Sequence, residues 1–226
     1  MKFRHLLAVL ALFATVDSQA ALIHQYDLNG SLADTLGGPA LVANGGTIGA
    51  AGYVFKANQG LQLRDKLGAD YTIDMVFHFD ALGSWRKIVD FSDLKEDVGF
   101  YAYGSGLSFY GLGDTSGKLS AGQDTRLTLS RSADAMLNVY QDGKLVMSRK
   151  DTHPYSDLAD SYLNFFRDDR NGSEAGPGAV DFIHVYDNAL GAAEVNQLVH
   201  PAPEPASGLL MACGLGLLMA RRRRPT

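Results

Sequence analysis

A chain with a single cysteine cannot close a disulfide on itself, and Cys213 is the only one in these 226 residues. The region between the two ends has none, so a domain of about 180 residues must rest on its own apolar core, as one domain of that length can. Glutamate is scarce too, with 4 Glu against 21 Asp. Aspartate forms helices poorly and favours turns and caps, so strands joined by loops are expected. Basic charge is also short. Without residues 1–20 (Lys2, Arg4, Asp17) and 203–226 (Glu204 and four Arg), 14 of 20 basic and 23 of 25 acidic side chains remain, a net charge of −9. That balance argues against nucleic acid as a partner, whose binding needs Lys and Arg to neutralise phosphates. Long apolar runs are confined to the ends, at Leu6–Val16 and Ala206–Ala220.

What fills the middle is strand pattern. In YTIDMVFHFD, Ile73, Met75, Phe77 and Phe79 alternate with Asp74, His78 and Asp80, as in a half-buried strand whose polar face is exposed. TRLTLSRS and LNVY repeat the device. Asp142-Gly143, between LNVYQ and KLVMS, predicts a hairpin because both turn positions tolerate positive φ. Further strands are expected at Leu22–Tyr26, Tyr53–Phe55, Leu61–Leu63, Arg86–Phe91, Gly99–Tyr103, Leu107–Tyr110, Tyr162–Phe165 and Ala179–Tyr186. Only ALGAAEVNQLV reads as a helix. The expectation is an all-β, two-sheet antiparallel sandwich over residues 21–200, with one short C-terminal helix.

The ends read as addresses. MKFRH, the apolar core and VDSQA have the layout of a secretory signal peptide, residues 1–20, with the mature start at Ala21. That core is shorter than the roughly 20 residues a bilayer span needs. At the other end, residues 201–226, Pro203-Glu204-Pro205 precedes an apolar transmembrane helix at 206–220 and the cluster Arg221, Arg222, Arg223, Arg224, which would stay cytoplasmic. Gly208, Ala212, Gly216 and Ala220 form a small-residue stripe that lets another helix approach. Spacing alone leaves a permanent bitopic anchor and a removable segment both open. Motif, helix and basic tail in this order resemble the PEP-CTERM sorting signal of Gram-negative bacteria that make extracellular polysaccharide. The resemblance implies Sec export, transient membrane anchoring, processing by the transpeptidase exosortase, and delivery to the cell surface or a biofilm matrix.

A second resemblance covers nearly all of residues 21–199. LIHQYDLNGSLADTLGG, GYVFKANQGLQL, VYQDGKLV and VDFIHVYDNALGAAEV are similar to successive segments of concanavalin A-like, LamG-type jelly rolls. It departs at His184, where Arg is frequent, and at Gly191, where Ser is. It implies two packed antiparallel sheets, a binding or structural role, and calcium held between Asp34 and Asp181.

Local chemical signals are few. FFRDDRNGSEAGPGAVD gathers Asp168, Asp169, Glu174 and Asp181 around a Gly-rich turn, either a Ca²⁺ site of hard oxygen ligands or a solvated acidic loop. Trp85, the only tryptophan, and Tyr101, Tyr103 and Tyr110 either line a carbohydrate-binding groove or complete the core. Concanavalin-like glucanases carry Glu-x-Asp-x-x-Glu on one strand, and this chain has no such motif. Asp74, His78 and Asp80 are the best remaining acid-base cluster. No nucleophile elbow, zinc-binding His pair or phosphate-binding loop is present. The sequence therefore reads as a non-catalytic exported protein that binds polysaccharide, with a structural or adhesive protein and a weak glycoside hydrolase as the rivals.

Overall fold

A computed structural model describes residues 20–169 and 172–201. The proposed signal peptide, apart from Ala20, and the sorting motif with its helix and arginines lie outside the described residues. Among the described residues no helix is long and apolar enough to cross a membrane.

Two antiparallel sheets pack face to face. Numbered along the chain, one runs in space β13 (Lys144–Lys150), β12 (Met136–Gln141), β11 (Thr125–Arg131), β6 (Tyr71–Phe79), β15 (Gly178–Tyr186), β4 (Gly52–Phe55) and β3 (Thr47–Gly49). An eighth strand, β1 (Leu22–Tyr26), also pairs with β15. The second sheet runs β10 (Gly113–Lys118), β9 (Gly106–Tyr110), β8 (Gly99–Tyr103), β7 (Arg86–Asp90), β14 (Leu163–Phe165), β5 (Leu61–Leu63) and β2 (Val42–Ala43). Each expected strand is found within a residue or so of its predicted ends. The unexpected ones, β2, β3 and β10, are all edge strands. Short or polar edges (VA, TIG, GDTSGK) carry no alternation to read, and this is how sheets blunt edges against unwanted pairing.

The alternating apolar residues meet between the sheets. Ile73, Met75, Phe77, Leu127, Leu129, Ile183 and Val185 from the eight-stranded sheet face Ile88, Phe100, Leu107, Phe109, Leu163 and Phe165 from the other. Each such burial contributes about 1.5–3 kcal/mol. Phe166 sits at the centre, stacked on Phe55 at 4.4 Å and 5.4 Å from Phe77. The hairpin turn is as expected, with φ of 50° at Asp142 and 79° at Gly143. Gly178 is required by proximity, since a Cβ there would lie 2.0 Å from the His78 carbonyl oxygen.

One expectation is overturned. Asp74 is not on an exposed face: it is fully buried, paired with Arg126 (Nη2 to Oδ2 2.5 Å) and hydrogen-bonded by Thr128 at 2.8 Å. The cause is α1 (Ala192–Val199) and the segment before it, which cover that face. Thr72 donates to Asn188 O, Ser130 to Leu190 O, and Arg126 Nη1 to Leu198 O. The helix is shorter than its apolar run because Ala189 and Leu190 donate instead to Asp70 and Thr72.

Candidate functional site

Among the described residues no helix lies across the outer face of the seven-stranded sheet, and strand alternation decides what it presents. Arg86 pairs with Ala102, which points into the core, so Trp85 and Lys87 point outward. Lys87 is registered with Tyr101, Tyr101 with Ser108, Ser108 with Asp114, and Tyr103 with Gly106. The four aromatic residues singled out in the sequence therefore come together. Trp85 stacks on Tyr103 with centroids 4.4 Å apart and planes 27° from parallel. It meets Tyr101 edge-on at 5.4 Å and Tyr110 at 6.1 Å. Tyr101 is buried, whereas Tyr103 is 54% and Tyr110 49% exposed. Trp85 itself is only partly covered. Gly106 leaves room beside Tyr103, and a cavity of about 190 Å³ opens there, edged by Ser108, Asp114, Thr115 and Lys118.

Tyr101 links this cluster to a charged one. Its hydroxyl donates to Asp97 Oδ1 at 2.6 Å, and Lys87 Nζ lies 4.7 Å from its ring centroid. Burial, then the Asp97 carboxylate, drive the Tyr101 phenol far above its ordinary value. The Lys87 side chain is fully buried, with Nζ 3.4 Å from Asp97, 3.5 Å from Asp168 and 3.8 Å from Asp90. Asp97, Asp168 and Glu174 bring carboxylate oxygens within 4.8 Å of one another. The Lys87 amide donates to Glu174 O at 2.7 Å and the Glu174 amide to Asp168 Oδ2 at 2.9 Å, which pins this loop to β7. Burial pushes the Glu174 carboxyl up, helped by repulsion from Asp97 and Asp168. Burial likewise raises Asp90.

The residues proposed for calcium divide into three places. Asp168, Asp169 and Glu174 lie together, since Asp169 also acts electrostatically on Glu174. Asp34 is buried elsewhere, against His24 Nδ1 at 2.8 Å and the amides of Gln25, Leu36 and Gly38. Burial would raise its pKa, but these hydrogen bonds outweigh it and lower it. Asp181, on β15, sits near Asp124 and His78; burial, then Asp124, raise it. Among the described residues Asp34 and Asp181 thus share no partner, and Asp34 has its oxygens engaged, so the implied pair does not fit one calcium ion. Nor do the three converging carboxylates fit a resident Ca²⁺, which takes six to eight oxygens, because the Lys87 ammonium already stands among them. Of the acid-base cluster, Asp74 is held apart by Arg126, while His78 contacts Asp124 at 2.7 Å and Asp80 at 3.5 Å.

Sequence reasoning missed Lys87, Asp97 and the cavity residues. A lysine two positions after the only tryptophan, in a strand pattern, was the available signal for the first. Asp97, in a loop of mixed charges, carried none.

Among solved structures, the chain is similar to domain 4 of a GH43 extracellular arabinanase from Geobacillus stearothermophilus, in complex with arabinotriose, at 20% identity and a TM-score of 0.65, over 80% of this chain and 100% of that one. It is similar to a Trypanosoma rangeli sialidase in a complex with 2,3-difluorosialic acid, at 15% identity and 0.64, over 79% of this chain but 32% of the other. The botulinum neurotoxin serotype D binding domain gives 13% identity and 0.59, over 79% and 51%. At these identities the likeness concerns the fold alone. No curated protein matches the chain. The profile of the concanavalin A-like lectin/glucanases superfamily, in its Laminin_G_3 form, matches residues 49–196, well over half of the sequence, and the chain belongs to that superfamily.

Proposed function

We propose that this domain binds glycan on the outer face of its seven-stranded sheet, with Trp85 and Tyr103 as a stacking platform. The observation that carries this reading is the aromatic group itself: a partly open indole stacked on a half-exposed tyrosine and flanked by another. Placing such rings at a surface sacrifices apolar burial, and a sugar ring is a partner that recovers it. The adjacent cavity offers hydroxyl, carboxylate and ammonium groups for sugar hydroxyls. The arabinotriose complex of the arabinanase domain supports the reading at the level of the fold.

The function is binding without hydrolysis. Glycosidic cleavage generally needs two carboxylates free to act on either side of the bond. Here Asp97 is engaged by Tyr101 and Lys87, and Asp168 is buried against Lys87 and the Glu174 amide, which leaves Glu174 as the one acid of this group not so engaged. Affinity electrophoresis of the purified protein against a polysaccharide panel tests both halves. Retardation without new reducing ends is expected; no retardation on any glycan would favour a surface protein with protein partners.

Export and sorting belong to the same reading. Pro203-Glu204-Pro205, the apolar run and Arg221–Arg224 support processing by exosortase and display at the cell surface or matrix of a Gram-negative bacterium. Intact mass and fractionation, in hosts with and without the sorting peptidase, test it. A tail lost only when the peptidase is present is expected, and an intact tail held in the inner membrane of both hosts would refute it.

A further inference from the structure

Beside the aromatic platform lies a surplus of negative charge that stacking on a neutral sugar does not use. Asp97, Asp168 and Glu174 converge, with Asp90 behind them, and among the described residues Lys87 is the ammonium in their midst. That ammonium thus faces the carboxylates of Asp97, Asp168 and Glu174, while Asp90 is shared between Lys87 and the Arg167 guanidinium. Among the described residues, the buried Asp168 Oδ1 accepts no hydrogen bond and has only the Lys87 ammonium at 3.5 Å as an ionic partner. The hydrogen bonds of Glu174 run through its backbone, and among the described residues none reaches its carboxylate. The Asp97 side chain is half exposed, so the group opens to solvent. Tyr101 alone separates these acids from Trp85, touching Asp97 through its hydroxyl and the indole through its ring.

We propose that this face selects a cationic glycan: a polysaccharide with free amino groups, whose ammonium docks on Asp97 and Glu174 while a ring of the same chain stacks on Trp85. This inference rests on the glycan-binding reading above. An ammonium suits the group better than a divalent ion does, because it adds a single charge beside Lys87 and brings hydrogen-bond donors to the Glu174 carboxylate and to Asp97 Oδ2, the oxygen that Tyr101 and Lys87 leave open. Anionic sugars are repelled by the same charges and by the net charge of −9 over residues 21–202. Burial, then repulsion from Asp97 and Asp168, raises the Glu174 carboxyl, and the repulsion is relieved when a cation enters.

Trp85 is the only tryptophan, so its fluorescence reports on the platform directly. The purified protein is titrated with glucosamine oligomers of chitosan and with N-acetylated oligomers of equal length, at a pH where the amines are protonated. The free-amine oligomer should bind about tenfold more tightly or better, the size of one charge-assisted hydrogen bond. Added salt should erode that preference. Glu174→Gln should reduce it and the pair Asp97→Asn with Glu174→Gln should abolish it, at unchanged fold by circular dichroism, while Trp85→Ala, followed by calorimetry, should lose both ligands. Equal or tighter binding of the acetylated oligomer, or a preference untouched by Glu174→Gln, would overturn the charge inference and leave the platform standing. Response to a neutral polysaccharide but to neither oligomer would overturn it in the same way. Silence toward every glycan would bring down both readings.

Discussion

Replacing Trp85 with alanine separates a binding platform from an aromatic group that merely finishes a sheet edge. A stacked sugar covers roughly a third of the 150–250 Å² an aromatic side chain presents, about 60 Å², or about 1.5 kcal/mol at about 25 cal/mol per Å². Loss of the indole also frees Tyr103, which it holds at 4.4 Å, for a further loss of about 0.5–1.5 kcal/mol. The sum, about 2–3 kcal/mol, is a weakening of about 30- to 150-fold. Because Trp85 is only partly covered and lies outside the central core cluster, the fold should lose only about 1 kcal/mol. Isothermal titration calorimetry with the best-retained glycan measures the first quantity and urea unfolding the second. Trp85→Phe should retain most of the affinity, since it keeps a flat ring over Tyr103. Binding by Trp85→Ala within twofold of the parent would refute the platform, whatever the glycan.

Three further outcomes follow from the packing and the charges. Asp74→Ala should destabilise the protein by about 3 kcal/mol in urea, because it strands the Arg126 guanidinium and the buried Thr128 hydroxyl; a loss below about 1 kcal/mol would return Asp74 to the surface. Phe166→Ala should cost about 3–5 kcal/mol by opening a cavity beside Phe55, Phe77 and Phe79, read from the same unfolding curves. Glu174→Gln should raise Tm at neutral pH. The folded-state pKa of Glu174 lies above its ordinary value of 4.5, so its ionisation destabilises the fold as pH rises through that window, and the gain should vanish below 4.5, where both states are protonated. A gain that persists in acid would place its origin outside the charge.

Alternation made the core readable. Ile73, Met75, Phe77 and Phe79 were assigned to one face from their spacing, and they occupy it. The other face of the same strand was misread because polarity records only that a side chain has partners, not whether those partners are water. Asp74 finds Arg126, fifty-two positions away, beneath a helix whose docking no local pattern announces. The aromatic quartet was recognisable as residues, and its assembly follows from a register, Lys87 to Tyr101 and Tyr103 to Gly106, that only strand pairing supplies. The acid group was half found: Asp168 and Glu174 share one loop, whereas Asp97 reaches them from another through Lys87 and Tyr101. The pairing of Asp34 with Asp181, carried over from a resemblance, failed because His24 and three backbone amides engage Asp34.

On the reading proposed above, the two sheets divide the work of the domain between their outer faces. On the eight-stranded side, α1 and residues 187–191 lie over Thr72, Asp74 and Ser130, and the end of the helix packs Val199 against the Asp142-Gly143 turn. The start of the described chain is held there too, through paired hydrogen bonds between Ala21 and Asp187. Both ends of the domain are therefore tied to the face opposite the aromatic platform. A chain attached through its C-terminal segment would present Trp85, Tyr103 and the acid group away from the attachment. Tethering and binding then make no competing demand on one surface. If the tail is processed as proposed, substitutions at Trp85 should change glycan retention without changing that processing, and substitutions at Pro203–Pro205 should do the reverse. A Trp85→Ala protein that is sorted differently from its parent would show that the two faces are coupled.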